Sequence, residues 1–202
     1  MSDSLETAST ATVQASGQVV LPPGPMTAEQ YGRLPDLGYP TELVRGQIKV
    51  MNQPYPEHGR ICAEIARLLG NFVKDRTLGV VVGNDGGVRT ERQPDTVRGP
   101  DIAYYSFQRV RPGRFPKRGY LDVVPELAIE VKSEFDRWSE INEKIAEYLK
   151  AGVLVVCVVD PDIDSVQVHY PDKPMRIVQR DEELVLPEVL PGFRVMVREL
   201  FE

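Results

Sequence analysis

The sequence predicts an α/β fold in which a sheet is covered by helices. Three observations carry this reading. Val153-Leu-Val-Val-Cys-Val-Val159 is an unbroken apolar run of strand length, the mark of a strand buried on both faces. In the stretch 124–133, Leu127, Ile129 and Val131 alternate with Ala128, Glu130 and Lys132, which is a second strand. Between the two, Trp138, Ile141, Ile145, Tyr148 and Leu149 give one apolar helical face, with Asp136 as the expected N-cap and Gly152 as the stop. Strand (125–132), helix (136–151) and strand (153–159) make a βαβ unit, expected to be right-handed with parallel strands.

The remaining elements follow in order. Residues 1–25 are rich in Ser, Thr, Ala and Gln and end in Leu-Pro-Pro-Gly-Pro, a composition that predicts a disordered tail before a single domain over 26–202. Thr27-Ala-Glu-Gln30 is a capping-box pattern opening a short helix, stopped at Leu34-Pro35. Two alternating runs in 41–51 flank Arg45-Gly46 and predict a hairpin whose first strand begins near Glu42. The clearest helix spans 57–74, with Ile61, Cys62, Ile65, Leu68, Leu69, Phe72 and Val73 on one face. His58 projects onto that face; it either packs the helix start or points toward a site at the end of the sheet. Val80–Val82 and Val88–Arg92 read as strands separated by an Asp85-Gly86-Gly87 turn. Pro94-Asp95 with Thr-Val-Arg-Gly reads as a loop in which Asp95 solvates a turn. Pro100-Asp101 with Ile-Ala-Tyr-Tyr starts a strand. Ser165–Tyr170 is expected as an antiparallel edge strand. Short strands follow, and a final helical turn near Val197–Phe201.

Acids outnumber bases 30 to 24 among 202 residues, a net charge of −6, which argues against a surface coated uniformly for nucleic acid but not against a local basic patch. One such segment exists: Arg109, Arg111, Arg114, Lys117 and Arg118 fall in the Pro- and Gly-containing stretch 107–119 with no acid among them. It is either a solvated loop or a grip on phosphates. Two distant cysteines make no disulfide framework, and Cys62 and Cys157 read as small buried hydrophobes, with reducing cytoplasm as the default compartment. No apolar stretch approaches the roughly 20 residues of a membrane span, and the basic-then-apolar order of a signal peptide is missing from the N-terminus.

Chemistry concentrates on Asp101, Glu130 and Lys132. The Cα atoms of Glu130 and Lys132 lie roughly 6.6 Å apart on one strand face. Two charges on a buried strand need a reason, since burial without a partner is unfavourable. Two carboxylates can hold a hard cation such as Mg²⁺, and a lysine can offset charge building on a phosphate. His58 and His169 are the only histidines, so no Ser-His-Asp or Cys-His set competes, and no P-loop or dinucleotide fingerprint is present. Glu126, on the same face nearer the strand start, reads as solvated. Lys144 and Tyr148 are helix neighbours: Lys144 is a surface lysine or a site residue, and Tyr148 packs the core or brings its hydroxyl near the site.

Pro100-Asp101 followed by Glu130-Val131-Lys132 resembles the PD-(D/E)xK nuclease signature. The wider order resembles the Uma2 family: Glu42 with Gly46, His58 opening a helix, Pro100-Asp101-Ile-Ala, Pro125-Glu-Leu-Ala-Ile-Glu-Val-Lys-Ser133, Lys144-Ile-Ala-Glu-Tyr148, Ala151-Gly-Val153 and Val158-Val-Asp-Pro161. The resemblance covers roughly residues 26–200. It implies a restriction-endonuclease-like core, a mixed sheet with helices on both sides. It implies Asp101, Glu130 and the backbone carbonyl of Val131 as ligands of Mg²⁺ or Mn²⁺, and Lys132 as the catalytic lysine. Many members lack a lysine at that position, which leaves Lys144 as a substitute; Glu42 and His58 match accessory positions. Many members also have Pro soon after the position of Ser133, where this chain has Glu134-Phe135. The function expected is metal-dependent hydrolysis of phosphodiesters in nucleic acid, with DNA the expected substrate and a homodimer the expected assembly. A nucleic-acid-binding or protein-interaction module on the same fold, without turnover, is the alternative.

Overall fold

The computed structural model describes residues 12–13, 19–20, 24–84 and 86–202. Most of the segment expected to be a disordered tail lies outside the described residues, as does Asp85 of the expected turn; within the tail, β1 (Thr12–Val13) and β2 (Val19–Val20) pair antiparallel. Helix α1 (Ala28–Tyr31) has the reciprocal Thr27–Gln30 capping box and ends before the expected stop at Leu34-Pro35. The hairpin of β3 (Thr41–Val44) and β4 (Gln47–Val50) turns at Arg45 and Gly46, with φ of 49° and 76°. Two successive positive φ values are what a two-residue primed turn requires. Helix α2 (Pro56–Asp75) starts with proline, whose missing N–H would be unsatisfied there in any case. It buries Ile61, Ile65, Leu69 and Val73 at the predicted spacing.

The strands β5 (Gly79–Gly83), β6 (Val88–Glu91), β7 (Thr96–Arg98), β8 (Ile102–Ser106) and β9 (Leu127–Val131) lead to helix α3 (Trp138–Ala151). Then come β10 (Val155–Asp160), β11 (Ser165–His169), β12 (Arg176–Val178), β13 (Glu183–Leu186), β14 (Leu190–Met196) and a 3-10 turn (Val197–Phe201). The central sheet has six strands in the order β12-β11-β10-β9-β8-β5. Only β9 and β10 run parallel, as the βαβ unit requires, and the other neighbours are antiparallel, so the sheet is mixed. One face packs Ile129, Val131, Cys157 and Val159 against α2 and the β13–β14 hairpin. The other packs Ala128, Val156 and Val158 against Ile141, Ile145 and Tyr148 of α3. This two-sided burial is what the apolar run Val153–Val159 encodes. A second sheet, β4-β3-β7-β6, carries Glu42 on β3.

Several expectations are corrected. Residues 96–98 form a buried strand joining two others, because Thr96 and Val97 fill the second sheet's interior. Asp95 does more than solvate a turn: its Oδ2 accepts the Ala28 N–H at 2.7 Å and its carbonyl accepts the Gly46 N–H at 2.7 Å, tying α1 and the hairpin together. Asp136 does not cap α3; its carboxylate accepts the Ser133 N–H and hydroxyl, closing the turn two residues earlier. Trp138, at the first turn of α3, stays exposed rather than joining its apolar face. β11 is not the edge, because β12 pairs outside it. Glu126 is buried and accepts the Ser106 N–H and hydroxyl, with Arg109 3.2 Å away.

Gly46 holds two constraints at once. Its φ of 76° disfavours any side chain, and a Cβ there would lie 2.5 Å from Pro25 Cβ and 2.8 Å from Pro25 Cα. Gly46→Ala should therefore lower stability by about 1–3 kcal/mol, read by urea unfolding.

Candidate active site

The register of β8 against β9 builds the site. Ile102 pairs with Ile129 and Ala103 with Ala128, so Asp101, just before β8, falls opposite Glu130. Asp101 Oδ2 accepts the Val131 N–H at 2.7 Å. From one side of the sheet, α2 presents His58, whose Nε2 is 3.4 Å from Asp101 Oδ2. From the other side, α3 presents Lys144 and Tyr148, one turn apart. Lys144 Nζ is 3.1 Å from Glu130 Oε2 and 3.1 Å from Glu42 Oε1, and the Tyr148 hydroxyl donates to Glu130 Oε1 at 2.7 Å. His58 lies against Asp101, and Lys144 and Tyr148 both bond to Glu130. Lys144 is no surface lysine, and Tyr148 is a core residue whose hydroxyl reaches Glu130.

Lys132 goes elsewhere. Its ammonium pairs with Asp162, just past β10, and lies 3.8 Å from Asp160, the last residue of β10. Lys144, not Lys132, is the lysine bonded to Glu130. Of the basic segment, Arg109 is a structural clamp, donating to the carbonyls of Val124, Pro125 and Gly152. Arg111, Arg114, Lys117 and Arg118 are exposed. The segment leaves the far end of β8. Five residues of strand, about 16 Å, separate it from the Asp101 end.

Three neighbours escaped the sequence reading. Arg98 is buried between Glu42 (Nη1 to Oε2, 2.9 Å) and Glu147 (Nε to Oε2, 2.6 Å). It was hidden because its strand read as a loop. Glu147 precedes Tyr148 and carried no signal beyond its helical position. Cys62 lies one turn after His58, with Sγ 3.5 Å from His58 Nδ1. The four-residue spacing was visible, but a cysteine on an apolar helix face reads first as core.

The electrostatics are uneven. Four carboxylates (Glu42, Asp101, Glu130, Glu147) face two fixed cations, Arg98 and Lys144. Burial disfavours the charged form of Glu42, but Lys144 and Arg98 outweigh it and hold its pKa below the usual range. Glu130 goes the other way. Burial, aided by the charges of Asp101 and Glu42, overcomes Lys144 and pushes it up to about 7. Burial also works against the charge on Lys144, yet Glu130 and Glu42 raise its pKa and keep it an ammonium. His58 is pulled down by burial and raised further by Asp101, with a net upward shift. Hard oxygen donors with surplus negative charge fit a divalent cation such as Mg²⁺. No helix among the described residues is long and apolar enough to cross a membrane.

Comparison with known proteins agrees with this architecture. The Uma2 family model, described as "Putative restriction endonuclease", matches residues 28–198. Among solved structures, a "putative nuclease belonging to DUF820" from Anabaena variabilis ATCC 29413 superposes with a TM-score of 0.76 at 20% identity, covering 88% of this chain and 98% of that one. At that identity the likeness speaks for the fold. No curated protein matches the sequence.

Two stability predictions follow from the charges. Arg98→Met leaves Glu42 and Glu147 without their buried partner and should destabilise by about 3–5 kcal/mol in chemical unfolding. Burial pushes the Glu130 carboxyl up to about 7 from an ordinary 4.5, so the folded state holds its proton over that interval while the unfolded chain has released it. Stability contributed by this group therefore falls as pH rises from 4.5 to 7. Glu130→Gln should flatten that part of the Tm-against-pH curve. An unchanged slope would mean that Glu130 is ionised throughout.

Proposed function

The chain belongs to the Uma2 family, and on that premise we propose that it is a divalent-metal-dependent nuclease acting on DNA, with Lys144 as its catalytic lysine. The observation that carries this reading is Lys144 Nζ, 3.1 Å from the Glu130 carboxylate and fixed there by Glu42. Asp101, Glu130 and the Val131 carbonyl would hold Mg²⁺ or Mn²⁺. The ion, when bound, polarises a phosphoryl oxygen and acidifies a water. The rest is done by side chains. Glu42 and Arg98 hold Lys144 so that its ammonium offsets negative charge growing on the phosphoryl oxygens. As a protonated group it is a donor, not a base. Tyr148 fixes the rotamer of Glu130, and His58 orients Asp101. Arg111, Arg114, Lys117 and Arg118 would grip backbone phosphates away from the scissile bond, roughly five base pairs along a duplex.

One observation favours the alternative, a binding or interaction module without turnover: Lys132, the lysine of the signature, is engaged by Asp162 and Asp160. The two readings separate in one experiment. Purified protein is assayed with Mg²⁺ and Mn²⁺ on single- and double-stranded DNA and RNA. Cleavage should be abolished in Asp101→Ala and Glu130→Gln, and reduced about 100-fold in Lys144→Met, with Lys132→Met close to wild type. Loss in Lys132→Met with Lys144→Met unaffected would overturn the lysine assignment. Salt-sensitive DNA binding with no cleavage under any metal would favour the binding module. Calorimetry of Mn²⁺ binding to wild type and Glu130→Gln tests the metal ligands without a substrate.

A further inference from the structure

Asp101 belongs to a second set of donors. His58 and Cys62 stand four residues apart on one face of α2; His58 faces the Asp101 carboxylate and the Cys62 sulfur lies against the imidazole. Ligand atoms of His58, Cys62 and Asp101 all lie within 4.8 Å of one another. His58 Nε2 is 3.4 Å from Asp101 Oδ2 and 4.0 Å from Cys62 Sγ. A tetrahedral Zn²⁺, about 2.1 Å from nitrogen and about 2.3 Å from sulfur, sets its donors about 3.4–3.8 Å apart. The His58–Asp101 separation matches that spacing, whereas Cys62 Sγ, nearer His58 Nδ1 at 3.5 Å than Nε2, has to turn toward the metal to complete the set. Helical ligands at i and i+4 are a recurrent way to present two donors to one zinc ion. His58 and Asp101 are mostly shielded from solvent, Cys62 is half-buried, and the charge of Asp136 reaches His58.

We propose that His58, Cys62 and Asp101 form a site for a thiophilic divalent ion such as Zn²⁺, on the α2 side of the sheet. A thiolate and an imidazole select against Mg²⁺ and for zinc-like ions. Three protein ligands leave a fourth position for water. The site needs only these side chains and stands whether or not the chain cleaves phosphodiesters. If it does, the two metals share Asp101: zinc occupying this site takes the carboxylate that the hard ion requires, so zinc inhibits by exchange of a common ligand.

Cobalt(II) reports the thiolate directly, through a sulfur-to-cobalt charge-transfer band in the near ultraviolet. Titrating the full chain with Co²⁺ should produce that band, and Zn²⁺ should bleach it stoichiometrically. Cys62→Ser should abolish it, and His58→Asn should weaken Co²⁺ affinity at least tenfold. Glu130→Gln should keep the band, because Glu130 belongs to the other set. Circular dichroism checks that each variant folds. A saturated wild-type protein without the band overturns the proposal, as does a band that survives Cys62→Ser. Failure of the nuclease reading would appear in the Mn²⁺ titration of Glu130→Gln and not in this spectrum.

Discussion

The ammonium of Lys144 joins the two halves of the molecule. It is the point where α3, the central sheet through Glu130 and the second sheet through Glu42 meet in one set of charge-assisted bonds. Removing a partner from such a buried set leaves an uncompensated charge, which is far more costly than the pair is stabilising. Arg98 extends the set to Glu147 and locks β7 to α3. The second sheet, which contains no expected metal ligand, thus becomes part of the site by holding the lysine in place.

Within this set the physical effects oppose each other, and magnitude decides each case. Burial works against charge at Glu42, Glu130 and Lys144 alike. Partners win at Glu42 and Lys144, and burial wins at Glu130. The difference is the company each keeps. Glu42 has two cations, and Glu130 has one cation shared with Glu42 and a second carboxylate, Asp101, near it. A group left poorly satisfied in an otherwise consistent core is the usual mark of a place shaped for binding or chemistry rather than for stability.

Much of the fold was legible in the sequence because it is written in period. The two-sided burial of β10, the apolar stripe of α2, the Arg45-Gly46 turn and the Gly152 stop each follow from local rules. So did the pairing of Asp101 with Glu130, once the strands were placed. What escaped was non-local. Thr96-Val97-Arg98 is too short for alternation to register, and its burial comes from neighbours distant in sequence. The loss of that strand hid Arg98, and with it the reason for the buried lysine. The ion pairs of Lys132 escaped for a related reason: sharing a strand face with Glu130 says nothing of Asp160, which closes the next strand, or of Asp162 just past it. The clamp role of Arg109 likewise depends on carbonyls of residues 124, 125 and 152.

β8 is also a ruler. One end carries the acidic centre, and the other releases the arginine-rich loop, with Arg109 riveting that loop's base to the sheet. On the proposed function, the strand fixes the offset between where a nucleic acid is held and where it is cut. The rivet lets the rest of the loop change length or composition without moving either reference point. Recognition could then diverge among relatives of this architecture while the cutting geometry stayed the same.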